Sequence, residues 1–156
     1  MVRTIPGQPN TLSAPLGHIN VHIRDGSALL LHSKPAYTIE ETRQGPYSLL
    51  ISQNSQGLAH GTAYIDDGTT NPPGPNRVLS FVSTKQTVSV TGVGTFQVGS
   101  KLHDITVLGV VSKPTSVLLN GRHASTDMWT YVPQQEKLAV FGLDTSLNRA
   151  VSLSWE

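Results

Sequence analysis

The chain has 156 residues, a net charge of +1, 13% charged residues and no cysteine. That length suits one domain and buries a real core without disulfides; with no cysteine, disulfide stapling, thiolate catalysis and Cys-ligated zinc are excluded. Lys and Arg are scattered, so no nucleic-acid surface is expected, and no apolar run approaches the roughly 20 residues that span a bilayer, so no membrane partner is expected either. Met1 to Asn10 carries two prolines and no apolar segment. It is not a signal peptide, and the expectation is a cytoplasmic protein unless a leader has been removed.

In chain order, His18 to Arg24 alternates strictly, with Ile19, Val21 and Ile23 on one face and His18, Asn20, His22 and Arg24 on the other. Asp25-Gly26 is a turn and Ala28 to Leu31 an apolar return, together an N-terminal hairpin. Tyr37 to Gln44 is the one helical candidate, and Lys34 to Gln44 reads as a crossover into the rest of the chain. Tyr47 to Ser52 and Leu58 to Ile65 are strands around a turn at Asn54 to Gly57. Asp67 to Asn76 is a loop whose prolines block ladder hydrogen bonds. Further strands are expected at Arg77–Val82, Thr87–Val93, Gly94–Val98, His103–Val111 and Thr115–Leu119, the last ending in the hairpin signal Asn120-Gly121. Met128–Val132, Lys137–Phe141 and Ala150–Trp155 complete the series. Short strands at this spacing predict an all-β fold, an antiparallel β-sandwich of about ten to twelve strands. The pattern predicts one domain over residues 1–156, with a hairpin at 11–33 and the main sandwich at 46–156. Ile19, Val21, Ile23, Leu49, Ile51, Ile65, Val107, Leu118 and Val140 are the expected core.

Four stretches carry a family resemblance: Gly17-His18-Ile19-Asn20-Val21-His22-Ile23-Arg24, Gly61-Thr62-Ala63-Tyr64-Ile65-Asp66-Asp67-Gly68, Ile105-Thr106-Val107-Leu108-Gly109-Val110, and Lys113-Pro114-Thr115-Ser116-Val117-Leu118-Leu119-Asn120-Gly121. In this order they resemble the C-terminal end of fungal α-glucosidases of glycoside hydrolase family 31, over nearly the whole chain. The resemblance implies the last part of a proximal β-sandwich followed by a distal one, without the catalytic (β/α)8 barrel. The family's nucleophile and acid/base carboxylates lie on that barrel, so none is carried over. The chain departs from the family's usual Arg-Gly-Gly at Arg24-Asp25-Gly26, from its apolar residue at His22 and from its usual Glu at Thr69.

Two functions follow as expectations. The first is a binding or interaction module that hydrolyses nothing by itself, with a small molecule, a carbohydrate or its own copy as partner. The second is a cofactor-free cyclase, isomerase or lyase of a natural-product pathway, using the former barrel-facing surface as its pocket. The imidazoles of His18 and His22 exchange protons near neutral pH, Arg24 suits an anionic or carbonyl group, and Asp25 orients a histidine. These four are the catalytic candidates; Asn20, Tyr64, His103 and Trp129 are the ligand-binding ones. Asp66 and Asp67 read as turn caps in preference to calcium ligands, because adjacent strand residues point to opposite faces. No metal or cofactor is expected. An unpaired edge on the N-terminal hairpin predicts a homo-oligomer.

Overall fold

The computed structural model describes residues 7–156; the reading of Met1 to Pro6 lies outside the described residues. The elements run β1 (Ser27–His32), α1 (Ile39–Gln44), β2 (Tyr47–Ser52), β3 (Leu58–Ile65), β4 (Arg77–Thr84), β5 (Thr87–Gly94), β6 (Lys101–Leu108), β7 (Val117–Leu119), β8 (Arg122–His123), β9 (Trp129–Val132), β10 (Lys137–Val140), β11 (Thr145–Ser146) and β12 (Val151–Trp155). All twelve strands of the described residues join one curled sheet in the order β8-β7-β12-β5-β4-β3-β1-β2-β6-β10-β9, with β11 on β6. The fold is all-β, as expected. Most neighbours are antiparallel, but β2 pairs parallel with β6 over most of its length, and β1 meets β3 in parallel at one point, Ser27 opposite His60.

Side-chain parity explains how the sheet encloses its core. Leu79 and Phe81 on β4, Val88 and Val90 on β5, Leu49 and Ile51 on β2, and Ile105 and Val107 on β6 are all buried in one apolar cluster. Removing each of the larger side chains from water contributes about 1.5–3 kcal/mol. Val140 is buried too, whereas Ile65 and Leu118 are half-buried. The Asn120-Gly121 signal becomes the β7–β8 turn, with φ of 50° and 75°. That turn type needs positive φ at both central residues.

The joint between β1 and β3 depends on one glycine. A Cβ placed on Gly61 would lie 2.0 Å from the carbonyl oxygen of Ala28, so no other residue lets the two strands meet there. The His60 amide donates to the Gly26 carbonyl at 3.1 Å beside this contact.

Four expectations are corrected. His18 to Arg24 is not a strand: it runs as irregular chain into the turn at Asp25-Gly26. Ile19 and Val21 are 88% and 87% exposed and Ile23 is half-buried, so none of the three is core. Alternation alone makes no strand when no neighbour supplies the ladder. Second, the expected unpaired hairpin edge does not exist in that form, since β1 lies inside the sheet order between β3 and β2. Third, the segment containing α1 is no crossover between units; it links β1 to its antiparallel neighbour β2. Fourth, Gly94 to Val98 is no separate strand: Gly94 ends β5 and the rest is loop.

Candidate functional site

His18, Asn20 and His22 stand exposed along the irregular segment. Arg24 and Asp25 are exposed as well, but they line a cleft of about 620 Å³ with Asn54, His60 and Ser83. The Ser52 hydroxyl donates to Asp25 Oδ1 at 3.3 Å. His22 is not among the residues of that cleft, so the structure does not bring the four catalytic candidates together. The ligand-binding candidates are dispersed too. Tyr64 is on the outer face of β3, 54% exposed. His103 is on β6, its Nδ1 3.1 Å from the Leu143 carbonyl oxygen. Trp129 begins β9 and packs half-buried against the core. His60 joins the cleft unforeseen; its place on the exposed parity of β3 carried no hint that the Asp25-Gly26 turn would come alongside.

A second concavity, of about 800 Å³, lies between α1, the end of β3 and residues 96–100. It contains the tandem carboxylates. The two diverge, as adjacent residues leaving a strand should. Asp66 Oδ1 accepts the Gly68 amide at 2.8 Å and Arg43 Nη2 at 3.3 Å. The same Nη2 donates to the Asp66 carbonyl at 3.3 Å. Asp67 instead accepts the Thr69 and Thr70 amides at 3.1 and 3.0 Å, and the Thr70 hydroxyl. The hydroxyl and amide of Thr70, then the Thr69 amide, lower the Asp67 carboxyl to about 2. Both aspartates therefore act as caps, the role read from the sequence.

Arg43 is the residue that the sequence reading missed. It comes from α1, whose start is capped where the Glu41 amide donates to Thr38 Oγ1 at 3.2 Å. Its guanidinium lies against Gly68, at φ +72°, where a Cβ would fall 1.2 Å from Nη1. The Ser100 hydroxyl donates to the Arg43 carbonyl at 3.2 Å and ties the helix to the opposite wall. The only signal was a basic residue in the last turn of a short helix, which says nothing about a contact 23 residues away. Tyr47 sits at the base of this concavity; burial pushes its hydroxyl pKa up, and Arg43 pulls it partly back. Among the described residues, no group of three or more His, Asp or Glu side chains is arranged to hold a metal ion.

Comparison with known proteins places this architecture. No protein-family model matches the chain. Over 138 residues it is 41% identical to the alpha-glucosidase of Candida tsukubaensis, an alignment covering 88% of this chain and 13% of that protein. The Aspergillus oryzae alpha-glucosidase is also 41% identical over 138 residues, covering 14% of its length. A Schizosaccharomyces pombe protein described as an uncharacterized family 31 glucosidase is 35% identical over 145 residues, 93% of this chain and 14% of that one. The chain is homologous to one segment of the fungal family 31 α-glucosidases.

It thus spans about one seventh of the length of these relatives, and the described residues contain no (β/α)8 barrel. The solved glucosidase II alpha subunit bound to alpha3-Glc2 superimposes with a TM-score of 0.66 at 15% identity, over 86% of this chain and 17% of that one. A likeness that distant shows a shared fold.

Proposed function

We propose that this chain is a non-catalytic β module that docks through residues 15–24 onto a larger polypeptide of the kind its α-glucosidase relatives carry, and that it hydrolyses no α-glucoside by itself. The observation that carries the reading is the segment around Ile19 and Val21. It keeps strand-type alternation yet leaves both side chains almost wholly in water. Such a segment is suited to pairing with the open edge of a partner's sheet, where main-chain hydrogen bonds give affinity and alternate side chains fill pockets. Burying the two side chains would contribute about 1.5–3 kcal/mol each. The α-glucosidase relatives carry a much larger remainder beside this segment, and that remainder is the kind of surface the segment is suited to meet. Glycoside hydrolysis needs a pair of carboxylates flanking the scissile bond. Asp66 and Asp67 do not form one, since each is committed to its own loop contacts.

The test mixes the pure chain with a Candida tsukubaensis α-glucosidase truncated to remove its matching segment, and follows sedimentation and maltose hydrolysis. The expected results are a complex that forms with this chain, no complex with the Ile19→Lys, Val21→Lys double variant, and no maltose turnover by the chain alone. Turnover tracking the pure chain would overturn the reading. So would self-association through the same segment in place of the complex, which would make a second copy the partner.

A further inference from the structure

We infer that the concavity between α1 and the end of β3 is a binding site for a neutral sugar, in the form of a pyranoside or short oligosaccharide. The inference goes beyond the docking reading and does not depend on it, because the site is complete within this chain and away from residues 15–24. At about 800 Å³, the cavity falls within the usual range for small-molecule sites.

Its chemistry selects the ligand class. The floor is apolar: Tyr47 and Val98 are buried, and Ile65 and Phe96 are half-buried. The rim is polar and supplied by Arg43, Gln44, Asp66 and Thr69. An apolar floor with planar hydrogen-bonding groups around it complements a sugar ring, which has C–H faces and a hydroxyl rim. The charge balance narrows the choice. Glu40, Asp66 and Asp67 oppose the single guanidinium of Arg43, so a phosphate or carboxylate ligand would be repelled.

Hydrogen-bonding capacity is left over for such a ligand. Asp66 commits Oδ1 to Gly68 and Arg43, leaving Oδ2 to accept a sugar hydroxyl. Arg43 has five donors, of which those on Nη2 serve Asp66. The ion pair fixes both groups before a ligand arrives, lowering the ordering cost that weakens binding to flexible side chains. α1 is held from both sides, by Asp66 and by Ser100, so the walls are already set.

The experiment titrates the isotopically labelled full chain with maltose, with n-butylammonium as the cationic control and glucose 1-phosphate as the anionic one, reading amide resonances. The expected result is saturable shifts confined to residues 39–47, 65–69 and 96–100, with half-saturation on the order of millimolar and the anion bound far less well. Gln44→Ala changes an exposed side chain and keeps the fold; it should weaken maltose about tenfold, the loss expected of one hydrogen bond worth about 1.4 kcal/mol. Asp66→Asn should weaken it too, and if that variant unfolds, Gln44→Ala alone decides. No saturable shift at tens of millimolar maltose would overturn the proposal, as would butylammonium binding in place of maltose or Gln44→Ala binding maltose unchanged. Failure of the docking experiment would leave these shifts in place, and their absence would leave docking untouched.

Discussion

Asp67 shows how much a single carboxylate does in this loop. Its two oxygens collect the amides of Thr69 and Thr70 and the Thr70 hydroxyl, holding the chain as it leaves β3. Those donors favour the charged form, which is why the carboxyl lies at about 2 against an ordinary 3.8. Because the folded value is the lower, the stabilising contribution is fully present above the ordinary value and disappears as pH falls through the folded one. We therefore expect the amide resonances of Thr69 and Thr70 to hold their positions down to about pH 3 and to move with a midpoint near pH 2. A midpoint near 4 would mean that the capping bonds do not persist in solution. The neighbouring Asp66 is committed to Arg43, so two adjacent residues of one type serve two separate contacts.

Among the elements, the joint between β1 and β3 is the most demanding. Gly61→Ala would press a methyl group into the Ala28 carbonyl, and neither strand has room to yield, since β3 is also paired with β4 and β1 with β2. Overpacking of this kind costs typically about 1–3 kcal/mol. A lower urea midpoint at unchanged slope is the expected reading; a variant as stable as the parent would show that the strands part more easily than the contact implies. Nothing in the sequence announced this joint, because Gly61 stands in an ordinary alternating strand. Most strands were legible: Tyr47–Ser52 and Leu58–Ile65 form between turn signals, with Tyr47, Leu49 and Ile51 sharing one face of the first. His18 to Arg24 carried a cleaner alternation and formed no strand. A strand exists through its neighbour, and local pattern cannot say whether a neighbour is present. The same blindness hid the parallel pairing of β2 with β6 and the reach of Arg43 to Asp66.

At the scale of the whole molecule, strands distant in sequence are neighbours in the sheet. Such non-local order closes loops before it is rewarded, and slows folding. β12 is the clearest instance. It lies between β5 and β7, pairing Val151 with Val90 on one side and Leu153 with Leu119 on the other. Three of its side chains, Val151, Leu153 and Trp155, are buried. A ribosome makes this strand after both of the strands that it joins. Until residues 151–155 emerge, β5 presents a bare edge and the β7–β8 ribbon lacks its neighbour in the sheet, so the nascent chain carries an aggregation-prone border from the completion of β5 at Gly94 onward. A chain stopped at residue 150 should stay in that condition, scattering light and binding hydrophobic dyes; a soluble and fully folded truncation would show that the order of synthesis imposes no such delay.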